Sequence, residues 1–100
     1  MTSPLKGIRI LEVAEQTFVP AASALLADYG ADVIKVEHVE RGDAMRGLAA
    51  TGVAIVPKDI NLLFEHYNRV KRSIGLDLNT PVVVEIVYKL AASADVFLTN

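Results

Sequence analysis

LLADYGADVIKVE, residues 25–37, reads as the last turns of a helix, a glycine stop, and a short apolar strand closing on a lysine and a glutamate. Gly30 stands where a helix ends in a left-handed residue. Val33, Ile34 and Val36 are β-branched and favour extended backbone. On the amino side, residues 21–29 are mostly small or apolar with good helix propensity. Pro20 suits the first turn of that helix, where its missing N–H costs nothing. Further back, GIRILEVA (residues 7–14) is another β-branched apolar run. These segments predict β-α-β, with a connection long enough for a right-handed crossover between parallel strands.

The remaining residues extend the pattern. Residues 38–58 hold glycines and a proline with no clean period and read as an irregular excursion. Asp59 is placed to cap a helix over 60–69. SIGLDL (73–78) is strand-like. In NTP, Thr80 reads as an N-cap and Pro81 as the first helical residue. Three consecutive valines follow and favour strand locally, but apolar positions 83, 86, 87 and 90 keep a helical period. ADVFLTN (94–100) repeats the character of ADVIKVE and predicts another buried strand. The fold class expected is α/β, a Rossmann-like parallel sheet with flanking helices, incomplete because the sequence stops at a strand end. Such a sheet gathers ligand groups at the carboxyl ends of its strands.

At 52% hydrophobic residues over 100 positions, with mean hydropathy +0.36, the chain is rich in apolar surface for its size. A small domain hides that content poorly, which points to a partner surface. A net charge of −2 gives no field for nucleic acid or anionic lipid. There is no cysteine, so disulfides, thiolate catalysis and cysteine-ligated zinc are excluded. The start lacks a signal-peptide pattern and the apolar runs are too short to span a bilayer, so a cytoplasmic protein with no membrane partner is expected.

Three features bear on chemistry. Glu37 closes a strand where an acidic residue could grip a ribose, but the turn EQTFVPAAS (15–23) has no glycine to admit a pyrophosphate. Glu37 therefore reads as a solvated strand-end charge. Arg69, Lys71 and Arg72 in NRVKRS (68–73) form either an anion site or a solvated loop. Glu12 and Glu15 form an acidic pair near a strand end with nothing beside them to complete a catalytic set. His38 and His66 have no metal-ligand spacing, and no metal is expected.

Taken in order, PLKGIRILEVA, Pro20, LADYGADVIKVE, RGDAMR (41–46), NRVKRSIGLDL (68–78) and ADVFLTN resemble the amino-terminal part of class III CoA-transferases, the CaiB/BaiF family that includes formyl-CoA transferase-like enzymes. The resemblance implies that residues 1–100 belong to the large CoA-binding Rossmann-like domain, with CoA over the strand ends in place of a dinucleotide. It implies that Gln16, Thr17 and Phe18 line the CoA and acyl site and that His38 meets the nucleotide end. Leu76, Asp77, Leu78 and Asn79 border CoA, as does Asn100, while Lys71 and Arg72 supply nearby charge or brace the fold. Acyl-CoA and a carboxylic acid are the implied substrates, and an interlocked homodimer the implied assembly.

Several positions depart from the family pattern. His38 stands where arginine is common and Asn79 where lysine is common, each a lost charge-assisted contact of ~1–3 kcal/mol. Phe18 and Val19 replace small residues before Pro20, and Val70 stands where a second asparagine is usual. By the resemblance, the catalytic aspartate lies beyond residue 100. There it attacks the thioester, forming an acyl-aspartyl anhydride and then an aspartyl-CoA thioester. The same scaffold serves α-methylacyl-CoA racemases, which shuttle an α-proton. A non-catalytic CoA-binding or dimerisation module is the reading from another class.

Overall fold

The computed structural model describes residues 3–51 and 61–100, the side chains of 48–51 excepted. Four strands alternate with helices. They are β1 (Arg9–Val13), β2 (Asp32–Glu37), β3 (Arg72–Gly75) and β4 (Val96–Thr99). The helices are α1 (Phe18–Asp28), α2 (Leu62–Asn68) and α3 (Pro81–Ala92), and a run of 3-10 turns covers Ala44–Thr51.

The sheet is parallel throughout, in the order β3-β2-β1-β4. Chain progress runs outward from β1 to β3 and then jumps back past β1 to β4. Right-handed crossovers put connections made in opposite directions on opposite faces. The apolar clusters show this division. Ile10, Ala27, Ala31 and Val33 form the core beneath α1. Leu11, Val36 and Leu76 form a second core, against which Val83, Val87 and Leu90 of α3 pack. Alternation along β1 and β2 sends neighbouring residues to the two faces, as strand geometry requires.

Gly30 ends α1 as the sequence predicts. Its φ is 103°, its N–H donates to Ala27 O (3.0 Å), and Ala31 N–H donates to Leu26 O (3.2 Å). A Cβ there would also come within 2.6 Å of Ser3 Cβ. α1 starts earlier than expected, at Phe18, so Pro20 sits inside the first turn. It is tolerated because the first N–H groups of a helix have no intrahelical acceptor. Pro81 does open α3, with Thr80 at the N-cap position, although its side chain makes no capping bond.

Some boundaries move. β3 ends at Gly75, short of residue 78, because the chain turns away there: Thr80 N–H donates to Asp77 O (3.2 Å) and Asn79 N–H to the Asp77 carboxylate (3.0 Å). The helix expected from 60 begins at Leu62 and its cap is Asn61, whose Oδ1 accepts from Phe64 N–H (3.0 Å). The expected cap, Asp59, lies outside the described residues, as do positions 52–58 of the irregular excursion. Among the described residues no helix is long and apolar enough to cross a membrane.

Candidate functional site

Strand order reverses at β1, and a cavity of about 350 Å³ opens over the carboxyl ends of the strands around that point. Val13, Ala14 and Glu15 line it from the end of β1. Val36, Glu37, His38 and Arg41 come from the end of β2. Leu76, Leu78 and Asn79 come from the turn after β3, and Thr99 and Asn100 from the end of β4. This is the position expected of a ligand site in an open parallel sheet. Its size falls within the range of small-molecule pockets.

The β4 end is tied directly to the β1 end. Asn100 Nδ2 donates to Glu15 O (2.9 Å) and Thr99 Oγ1 to Val13 O (2.8 Å). On the opposite rim, the His38–Gly42 segment is a tight turn. Gly42 N–H donates back to His38 O (2.9 Å), and His38 Nδ1 accepts from the N–H groups of Glu40 and Arg41, both at 3.2 Å. Gly42 has φ 67°, and a Cβ there would lie 2.7 Å from Arg46 Cδ.

Beneath the cavity floor lies a buried ionic network. Glu12, Lys35 and Asp43 are 0%, 1% and 1% exposed. Lys35 Nζ meets Glu12 Oε2 (2.7 Å), Asp43 Oδ2 (2.8 Å) and Ala14 O (2.9 Å). The Asp43 contact is an ion pair poorly aimed for a hydrogen bond, so that oxygen has no hydrogen-bond donor among the described residues. Lys71 Nζ meets Glu12 Oε1 (2.8 Å), Asn68 Oδ1 (2.8 Å) and Pro20 O (3.0 Å). Ser23 Oγ also donates to Glu12 Oε1. Two lysines and two carboxylates thus cancel in the interior, the condition under which buried charge is tolerable.

The network reaches the rim through Asp43. Its Oδ1 accepts from Gln16 N–H (3.0 Å) and Met45 N–H (2.9 Å), and Glu15 Oε1 accepts from Ala44 N–H (3.2 Å). Burial pushes the Asp43 carboxyl up, but Lys35 and the two N–H donors outweigh it and leave the group below the ordinary aspartate range. Lys71 is pulled below the usual lysine range by burial, with Glu12 opposing.

Glu37 is not the solvated charge read from the sequence. It is buried, and Arg46 grips it through two bonds of 3.0 Å. Ser73 Oγ (2.8 Å) and Asp43 N–H (3.3 Å) donate to it as well. Burial raises this carboxyl, yet Arg46 and Ser73 bring it below the ordinary glutamate value. The Arg46 guanidinium also lies over the Phe64 ring, 3.8 Å from its centre. Nor do Glu12 and Glu15 form a pair: Glu12 is consumed in the interior and Glu15 stands on the rim.

A family model for CoA-transferase family III matches residues 5–100. The chain belongs to CoA-transferase family III. It is 44% identical over 100 residues to a succinate–glutarate CoA-transferase of Agrobacterium fabrum, covering 97% of the chain and 25% of that relative. It is 41% identical to a formyl-CoA:oxalate CoA-transferase of Rhodopseudomonas palustris, over the whole chain and 23% of that relative. A solved CAIB/BAIF family protein of Brucella suis superimposes with TM-score 0.85 at 36% identity, over the whole chain and 26% of that structure. The chain therefore spans about a quarter of the length of the family members it matches.

Of the positions that the family resemblance singles out, His38, Leu76, Leu78, Asn79 and Asn100 are brought together around the cavity. Gln16, Thr17 and Phe18 stand beside it, at the start of α1, and Asp77 braces the turn carrying Asn79. Lys71 points into the interior, and Arg72 pairs with Asp32 (2.7 Å) at the amino edge of the sheet, across from the cavity. Sequence reading missed Lys35, Asp43, Arg41 and Arg46. Lys35 carried a usable signal: it shares a strand face with Val33, so its charge had to be buried and paired.

Proposed function

We propose that this chain is the CoA-binding amino-terminal portion of a family III acyl-CoA transferase. The observation that carries this reading is the cavity over the strand ends where chain direction reverses, walled by His38, Arg41, Leu76, Leu78, Asn79 and Asn100. Family membership supports it. The whole protein moves CoA from an acyl thioester to a second carboxylic acid, working as a cytoplasmic homodimer. In this part, the β1–α1 loop with Gln16, Thr17 and Phe18 faces the acyl end. The turns after β2 and β3 hold the nucleotide arm.

The reacting carboxylate is an aspartate beyond Asn100. It attacks the thioester carbonyl and releases the CoA thiolate, leaving an acyl-aspartyl anhydride. The thiolate then attacks the aspartyl carbonyl, freeing the first acid and leaving an aspartyl-CoA thioester for the second acid to take over. The described residues bind and orient CoA and leave the covalent steps to that aspartate.

The test uses the protein at its natural length, with succinyl-CoA plus glutarate and formyl-CoA plus oxalate as first donor–acceptor pairs. A new thioester, with a hydroxylamine-trapped aspartyl adduct found by mass spectrometry, is the expected result. A folded protein that moves no CoA across a wider panel of acids would refute transfer. Deuterium uptake at the α-carbon of a 2-methylacyl-CoA would point to racemisation instead.

A further inference from the structure

The cavity needs a positive charge if it is to hold a polyanion, and most cations of the chain are already committed. Lys35 and Lys71 are buried against Glu12 and Asp43. Arg46 is locked on Glu37, Arg69 on Asp28, and Arg9 and Arg72 on Asp32. Lys6 precedes β1 and Lys89 lies in the last turn of α3, both towards the amino edge of the sheet. Among the described residues, Arg41 is the one lysine or arginine that lines the cavity, and it makes no ion pair there.

His38 cannot fill that role. Its Nδ1 is already engaged, accepting the backbone N–H groups of Glu40 and Arg41 within its own turn. The imidazole instead builds the platform on which Arg41 stands. Two N–H acceptor contacts, the Gly42-to-His38 backbone bond and the left-handed Gly42 hold the turn. Glu37, next to the turn, has its charge cancelled by Arg46, so it does not repel an anion. Glu15 is the remaining carboxylate of the lining and sits on the β1 side.

We propose that Arg41 is the phosphate anchor of this cavity, presented by a turn that His38 braces through its Nδ1 acceptor. The ligand class is the phosphorylated nucleotide arm of an acyl-CoA, and in that respect the assignment rests on the function proposed above. A guanidinium suits the task because it offers several donors to a phosphate in fixed geometry. Its mounting on a tight turn lowers the ordering cost on binding.

Calorimetry on the natural-length protein tests this with CoA and with pantetheine, which keeps the thiol-bearing arm and lacks the phosphorylated nucleotide. Arg41→Ala should weaken CoA about tenfold, as expected for one partly exposed charge-assisted contact. The same variant should flatten the salt dependence of CoA binding and leave pantetheine binding as in the parent. Arg41→Lys should recover part of the loss, and Lys89→Ala should match the parent throughout. If the parent binds CoA and Arg41→Ala binds it equally well with the same salt dependence, Arg41 is not the anchor, while the CoA reading stands. If the folded parent binds no CoA at all, both fall.

Discussion

At Val70 the backbone turns through φ 65°, a left-handed conformation that crowds a β-branched side chain. The turn has a purpose: it follows α2 directly and aims Lys71 inward at Glu12. Val70 itself is 73% exposed, so its side chain contributes little packing to offset the strain. Asparagine tolerates this region far better, and the resemblance to the family marked an asparagine as usual here. Val70→Asn should therefore raise the unfolding free energy by about 1 kcal/mol, read as a higher urea midpoint at unchanged slope. A midpoint that stays put or falls would show that the strain is relieved elsewhere.

Between elements, the ionic network does what an apolar core does elsewhere in this sheet. Glu12 of β1 and Lys35 of β2 face each other in register, and Lys71, just before β3, closes the set from the far side. Lys35→Met would leave Glu12 and Asp43 with too little compensating charge, and should cost about 3–5 kcal/mol in chemical denaturation. A loss under 1 kcal/mol would mean that water or Lys71 takes over.

The same elements set an acid limit. Glu37 and Asp43 are both held below their ordinary values, so between the folded and unfolded pKa the unfolded chain binds more protons and stability rises with pH. Their contribution is complete above about pH 5 and is lost as the pH falls through about 4 and below. Thermal midpoints should drop steeply on that acid limb, and Glu37→Gln should flatten it. A variant with the parent's acid slope would assign the effect to other carboxylates.

This scale also separates what was legible in the sequence from what was not. The strand positions, the Gly30 stop and the Pro81 start rest on signals a few residues long; β3 stops short at Gly75, and β4, expected to be buried, is an edge strand with Val96 and Phe97 exposed, because no element among the described residues pairs with its outer side. His38, Leu76, Leu78, Asn79 and Asn100 were marked by the family resemblance, and their clustering around the cavity agrees with the rule that ligands gather at strand ends. The pairings Lys35–Glu12, Arg46–Glu37 and Asp43–Gln16 depend on strand register and on where an irregular loop returns. No local window contains that information.

Across the whole molecule, the two faces of the sheet are covered unequally. α3 turns Val83, Val87 and Leu90 towards the sheet, yet none of its residues is fully buried. Val82 and Ile86, one helical turn apart, form a second apolar stripe beside the first, and Tyr88 of α3 and Phe97 of β4 are exposed too. A helix with two apolar stripes is one that packs against two things, and among the described residues α3 has one. A polypeptide of residues 1–100 should therefore self-associate through this face, sedimenting above the monomer mass at micromolar concentration. Charges on the second stripe, Val82→Glu with Ile86→Lys, should return it to monomer while leaving the first stripe and the helix signal in circular dichroism intact. A parent polypeptide that sediments as monomer from the outset would show that the exposed stripe drives no association, since a surface this apolar finds a partner in itself when no other is present.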